Sequence, residues 1–413
     1  MLGRVELDKT YQYLLIVLAF LIPITVSGAN TIVVVICVLW LLSGNYKTKL
    51  NQIFSSKIMV ASIIFYLIHV IGMLWTEDYV WGFHILHKMW YFLLFFPILF
   101  NIVNEKYIKY YISAFLLAIT FTEVLSYLVW FEVISPFKNA TVANPTPFMS
   151  HISYNPILAF SIYLVTHQLL FNKNLSRVAI FWYSFFSITM TINMFITGGR
   201  AGQVMFFVFL AILIFQFFRK KIIKAIIISI ILIPAIFITA YQTSYIFHDR
   251  ASGAINALKN IESWLSVQQK DQGGDHWLTY GYNSVGERIV FGMNSWKVFK
   301  NHPFIGVGTG DFPNEYMRVN QKYTPNLKTA VNPHNMYALI AVQLGLIGLL
   351  SMLSIFYFQI KASFNEKNFL YRDLGLALPI SFLVIMLSDS YLLGHFTTLM
   401  YVFFSSFIYQ KFE

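Results

Sequence analysis

Apolar runs long enough to cross a bilayer recur along the whole chain, and a soluble fold has no interior large enough to bury so many. They fall near 11–28, 30–43, 57–75, 84–102, 107–131, 153–171, 178–197, 200–218, 222–241, 335–360, 372–388 and 391–410. The second is short, and 11–43 can form one hairpin, so the total is about twelve. Only 11% of residues are charged, against about a quarter in soluble domains. A β-barrel would alternate over segments of roughly ten residues, whereas these runs are continuous. The chain therefore reads as an all-α integral membrane protein with about twelve transmembrane helices.

Basic residues set the orientation. With the N-terminus inside, the cytoplasmic loops hold Lys47, Lys49 and Lys57, then Lys106 and Lys109, then Lys173 and Arg177. Arg219, Lys220, Lys221 and Lys224 follow, then Lys361, Lys367 and Arg372. The short loops on the other side carry only Lys88, Lys138 and Arg200, beside the acidic Glu77, Asp78, Glu132 and Asp389. That asymmetry puts both termini in the cytoplasm and the long loop outside. It also accounts for the net charge of +11 without a nucleic-acid partner. The lone Cys37 excludes an intrachain disulfide and a cysteine-based zinc site. Arg4 and Lys9 precede the first span with no small-residue cleavage site after it, which reads as a retained first helix.

One long polar interval, from about Tyr241 to Asn335, breaks the pattern. It divides the chain into spans one to nine (1–241), an outer loop (242–334) and the last three spans (335–413). Within the loop, Ile255, Leu258, Ile261 and Leu265 space an amphipathic helix over 250–270. Gln272-Gly273-Gly274-Asp275 reads as a break. Ser284 and Glu287 match a capping box opening a helix over roughly 284–300, which carries Arg288 and Trp296 and is stopped by Asn301-His302-Pro303. A third short helix is expected over 311–322.

Several polar residues converge on the outer side: Arg200, Arg288, His334, Asn335, Asp389 and His151. Ionisable groups at membrane depth are costly and tend to mark function. Each also has a plainer reading. Arg200 can snorkel to headgroups, and Gly198 with Gly202 can serve helix packing. Arg288 can pair on the surface with Glu287 or Asp275, His334 can neighbour a helix cap at Asn335, and Asp389 can pair with His395. The glycines Gly306, Gly308 and Gly310 imitate a dinucleotide loop, but the third is one position early and no βαβ unit surrounds them. Asp271, Asp275 and His276 match no standard cation-site spacing, so no metal and no cofactor is expected.

Three segments together resemble the O-antigen ligase and polymerase family of bacterial polytopic glycosyltransferases. Thr197-Gly198-Gly199-Arg200-Ala201-Gly202 opens a span. Residues 296–312 read WKVFKNHPFIGVGTGDF, and Asn332-Pro333-His334-Asn335-Met336-Tyr337 leads into a span containing Gln343 through Gly348. The resemblance is sharpest over 195–202 and 285–348, and implies a GT-C-like bundle in the bacterial inner membrane with its active site on the periplasmic face. The implied donor is a glycan on undecaprenyl pyrophosphate. The implied acceptor is a sugar hydroxyl of lipid A–core, reached by inverting transfer without a metal. Arg200 and Arg288 match pyrophosphate-binding arginines, His334 the essential histidine, and Asp389 an acidic residue of the late outer loop. Asn335, Tyr337 and His151 join Arg200 and Arg288 as candidate substrate-binding residues.

The chemistry is coherent on its own terms. Charge develops on a departing lipid diphosphate, and guanidinium groups bind phosphate oxygens in bidentate fashion while always protonated. Histidine titrates near neutrality and suits removal of the acceptor proton. A polymerase joining repeat units on two lipid carriers shares this donor. One large outer loop favours the ligase. A relative that transfers glycans to protein or to another surface polymer is a third reading. A transporter or flippase predicts ionisable residues near the midplane and related halves, and neither is evident.

Overall fold

The computed structural model describes residues 4–259, 284–325 and 328–410, and every regular element among them is a helix. The first half comprises α1 (Arg4–Leu21), α2 (Val26–Leu42), α3 (Tyr46–Ser55), α4 (Lys57–Gly72), α5 (Tyr79–Trp90) and α6 (Phe96–Ile102). It continues with α7 (Ile108–Trp130), α8 (His151–Phe171), α9 (Arg177–Ile196), α10 (Arg200–Phe217) and α11 (Ile222–Thr243). The long polar interval contributes α12 (Tyr245–Lys259), α13 (Ser284–Asn301) and α14 (Phe312–Tyr323). The chain ends in α15 (Met336–Phe364), α16 (Phe369–Ile385) and α17 (His395–Ile408). The expected spans fall on these helices, the one over 84–102 on α5 and α6 together, but fewer than the expected twelve qualify as spans. Among the described residues seven helical stretches are long and apolar enough to cross a bilayer, Tyr79–Ile102 joining α5 and α6, or eight if α2 and α3 form one span bent by 119°. The protein is thus an all-α membrane protein.

Burial follows the side chains. Every residue of α17 from Thr397 to Ile408 is buried, as expected of a helix surrounded by others. Phe404 packs edge-on to Phe115 of α7 and Phe160 of α8, with ring centres 5.0 and 4.8 Å away. At the other extreme, α11 buries only Ala225 and Ala240, and its isoleucines face outward, suiting contact with lipid.

Two features position the ends of the helices that matter below. The first is the approach of α10 to α8. A Cβ on Gly202 would lie 2.2 Å from the Asn155 Cβ, so a side chain there would force the helices apart. The Asn155 amide donates to the Gly199 carbonyl (3.3 Å), while its oxygen accepts from Thr197 (2.7 Å). At the opposite end, Asp373 of α16 pairs with Arg219, just past α10, and with His167 of α8, at 2.5 and 3.0 Å.

The second is a break in α15 at Gly345, where φ is +61° and ψ −154°. The sequence reads 335–360 as one continuous span. The helix instead runs from the end of α16, where the Met336 amide donates to the Met386 carbonyl (2.9 Å), to the end of α4, and only then turns into its longer half. The backbone groups freed by the break are taken up by residues 303–308. The Leu346 and Ile347 amides donate to the Pro303 and Phe304 carbonyls, and the Val307 and Gly308 amides donate to the Val342 and Gln343 carbonyls. Asp311 then accepts from the Glu77 and Asp78 amides at 2.8 Å, fixing α14 to the α4–α5 turn. The glycine cluster that imitates a nucleotide loop is therefore a backbone-packing junction.

The expected helix over 250–270 starts earlier, at Tyr245. Its second half, the break at Gln272 to Asp275, and Asp271 and His276 lie outside the described residues. The helices expected over 284–300 and 311–322 are α13 and α14.

Candidate functional site

The segment Asn332-Pro333-His334-Asn335 is a turn in which three of the four residues have identifiable work. Asn335 is the N-cap of α15: its side-chain oxygen accepts from the Ala338 amide (3.0 Å), and its nitrogen donates to the Leu387 carbonyl (3.0 Å). The side-chain oxygen of Asn332 accepts from the His334 amide (2.8 Å) and from the Ser390 hydroxyl (3.0 Å). These bonds hold His334 at φ +50°, a left-handed conformation that costs a residue with a Cβ on the order of 1–2 kcal/mol. The strain points the imidazole at the loop between α16 and α17.

There His334 Nδ1 meets Asp389 Oδ1 at 3.2 Å. A carboxylate only accepts, so the proton of this bond sits on Nδ1, which in the neutral ring leaves the lone pair on Nε2. The His334 side chain is 44% exposed and that of Asp389 17%, so the base edge is accessible while its orienting carboxylate is sheltered. Burial pushes the Asp389 carboxyl up. The hydrogen bond and charge of His334, the Ser390 amide and the charge of Arg288 outweigh that and hold it below its ordinary 3.8. A depressed carboxyl stabilises the fold above its unfolded value, and the contribution is lost as pH falls through the folded one. Acidification below about pH 4 is therefore expected to destabilise the wild type more than Asp389→Asn, measured by thermal unfolding in detergent across pH 3–7.

One face of α13 connects this pair to the arginines. Ser284, Arg288 and Phe291 lie four and then three residues apart, which places them on one side of the helix. Ser284 accepts from Arg200 Nη2 (2.6 Å), and Phe291 stacks over the His334 ring at 6.2 Å with planes 24° apart. The two contacts are about 10 Å apart along the helix axis, with Arg288 between them. Arg288 is within electrostatic reach of both Asp389 and Arg200. Among the described residues neither arginine forms an ion pair. Arg200 begins α10 behind Gly199, which supplies no side-chain cap, so the positive end of that helix adds to the cluster.

The remaining expected residues fall around this row. His151 opens α8 within reach of the charges of Arg200 and Arg250. Tyr337 donates its hydroxyl to the Leu383 carbonyl (2.6 Å), and Asn335 uses both ends of its amide within the turn, so both shape the site from behind. Asp389 pairs with His334 and not with His395, whose Nδ1 bonds the Tyr91 hydroxyl (2.9 Å). Sequence reasoning missed Asn332 and Ser390, whose roles depend on a contact across 58 residues, and Tyr391, whose hydroxyl donates to the Ile152 carbonyl (3.4 Å). It also missed Arg250, although a basic residue expected on the outer side, against the usual charge bias, was a usable signal. A cavity of about 1090 Å³ lies at the opposite end of the bundle, between Lys57, Lys106 and Lys361, remote from all of these.

Residues 185–353 match the family model described as O-antigen ligase. That stretch is similar to the O-antigen ligase family. None of the curated proteins matches the sequence. The matched stretch runs from α9 into the longer half of α15, so it contains Arg200, Arg250, Arg288 and His334. Asp389 and His151 come from outside it, one from the turn before α17 and the other from the start of α8. The family supports ligase- or polymerase-type chemistry with lipid-linked glycans.

Proposed function

We propose that this protein is an O-antigen ligase-type glycosyltransferase of the bacterial inner membrane. It moves a glycan en bloc from undecaprenyl pyrophosphate to a sugar hydroxyl of lipid A–core on the periplasmic face. The observation that carries the reading is a histidine oriented by a carboxylate, its other ring nitrogen left free by that bond, beside two arginines that form no ion pair among the described residues. In the reaction the acceptor oxygen bonds to the anomeric carbon as the bond from that carbon to the phosphate oxygen breaks. The acceptor proton passes to His334 Nε2, and the electron pair leaves on the lipid diphosphate. Asp389 holds the imidazole in the productive tautomer and stabilises the imidazolium that forms, the role a carboxylate plays in an acid–base dyad. A single displacement inverts the anomeric centre. Arg288, between the histidine and Arg200, meets the growing phosphate charge in the position a divalent cation would otherwise fill.

The test is transfer in a strain lacking its own ligase, read as the lipopolysaccharide ladder on a gel with membrane levels checked. Arg288→Ala is expected to lower transfer by about 10²–10³-fold, as loss of one oxyanion donor does. Arg288→Lys restores only a minor part, because an ammonium keeps the charge but not the two-pronged contact. A wild type that lengthens lipid-linked chains but leaves lipid A–core bare would instead establish polymerase activity. An active Arg288→Ala would remove the arginine from the mechanism.

A further inference from the structure

The cluster has a third member. Arg250 stands on α12, which is tied over the ends of α9 and α11. The Ser244 hydroxyl donates to the Phe195 carbonyl (2.6 Å), Phe247 packs edge-on to Phe195 and Phe237 (5.2 Å each), and Tyr241 bonds Ser252 (2.8 Å). This anchoring brings Arg250 Nη2 over Gly198, 3.6 Å from where a Cβ on that glycine would stand, beside the Asn144 side chain that accepts from the Gly198 amide (2.9 Å). Arg200 lies two residues along the chain, and Arg250 is close enough to act electrostatically on both Arg200 and His151. Asp249 is the acidic group in reach of Arg200 from this side. Among the described residues Arg250 forms no ion pair. Like charges held close together repel, here Arg200, Arg250 and Arg288 with Asp249 the acidic group in reach, and an anionic ligand relieves the repulsion.

We infer that Arg250 is a third guanidinium of the anion site and holds the phosphoryl group distal to the transferred sugar. The inference rests on the proposed lipid-diphosphate donor. The α13 face sets an order: His334 stacks on Phe291 at one end, Arg288 follows, Arg200 bonds Ser284 at the other end, and Arg250 lies beyond it over Gly198. The reacting carbon and its phosphate belong at the histidine end. Arg250, at the far end, meets the phosphate that carries the lipid. The charge on that phosphate is the same before and after the sugar leaves. Contacts of equal strength in ground and transition states lower KM without raising kcat. Arg250 therefore sets donor affinity, whereas Arg288 sets turnover.

The experiment uses full-length protein in detergent with purified lipid-diphosphate glycan and acceptor. Arg250→Ala and Arg250→Gln are expected to raise the donor KM at least tenfold, with kcat within about threefold and the acceptor KM unchanged. Arg250→Lys should fall between, since a point charge replaces the fork. Inorganic pyrophosphate gives a readout independent of transfer: it should raise the melting temperature of the wild type and not of Arg250→Ala or Arg250→Gln. Variants with unchanged donor KM and unchanged response to pyrophosphate would overturn the inference while leaving the transferase reading intact. A wild type stabilised by pyrophosphate through Arg250 but unable to transfer would support the anion site and defeat the proposed reaction.

Discussion

His334→Ala is expected to reduce glycan transfer by about 10²–10⁴-fold with little change in donor affinity, the range for loss of a positioned general base. The expectation follows from the division of labour around the ring. In the proposed reaction donor charge is met by Arg288 and Arg200 from one side, while the carboxylate of Asp389 occupies Nδ1 from the other. Only Nε2 is left to touch the acceptor. Removing the ring deletes proton transfer but not the phosphate contacts, so kcat falls while the donor KM stays within a few fold. His334→Asn separates the positioning role from the basic one, because an amide keeps a polar group at the site without a titratable nitrogen. Equal loss in both variants identifies proton transfer as the missing function. Retention of wild-type turnover by His334→Ala would end the general-base assignment and leave His334 as a shaping residue of the turn. The fold should survive either change, because the histidine is partly exposed and its turn is held by Asn332 and Asn335.

The two halves of this site were unequally legible in the sequence. Long apolar runs report helices directly, because a backbone in lipid must satisfy its own hydrogen bonds, and the expected spans fall on helices, though only seven or eight of the described stretches are long and apolar enough to cross. Arg200, Arg288, His334 and Asp389 stand out because an ionisable group beside a membrane span needs a reason. Their partners did not stand out. Asn332 looks like a turn residue, Ser390 like a loop serine and Phe291 like one more apolar residue. Each acquires its role only when α13, α15 and the turn before α17 meet in space. Arg250 was hidden differently. It lies on an amphipathic stretch, where a charge on the polar face is the ordinary expectation. The break at Gly345 escaped notice because a single glycine in an apolar run is common in membrane helices. Nothing local reveals that residues 303–308 supply the hydrogen bonds that make a break tolerable.

That break yields the second large effect: Gly345→Ala should prevent accumulation of folded protein. The backbone at +61°, −154° belongs almost solely to glycine, and holding an alanine there costs on the order of 1–3 kcal/mol. The added Cβ would also stand 2.3 Å from the Phe304 carbonyl carbon, closer than any real contact. The clash involves backbone, so it is relieved only by withdrawing 303–308 from the break. Four backbone hydrogen bonds then lose their partners: those donated by Leu346, Ile347, Val307 and Gly308. Gly306→Ala meets the same junction from the other side, with φ at +70° and its Cβ 2.3 Å from the Gln343 carbonyl carbon. Both should remove the monodisperse peak in fluorescence-detected gel filtration. Gly292→Ala is the control. It lies inside α13 with nothing within 4 Å of the added methyl, so it should be neutral or stabilising by up to about 1 kcal/mol. The junction also bears on the chemistry. Residues 303–311 link α13, which carries Arg288 and Phe291, to α15, which begins two residues after His334. A milder lesion, Asp311→Asn, weakens the acceptor for the Glu77 and Asp78 amides without a clash. If Asp311→Asn folds but loses transfer, the junction aligns the arginine with the histidine; if transfer survives, it serves stability alone.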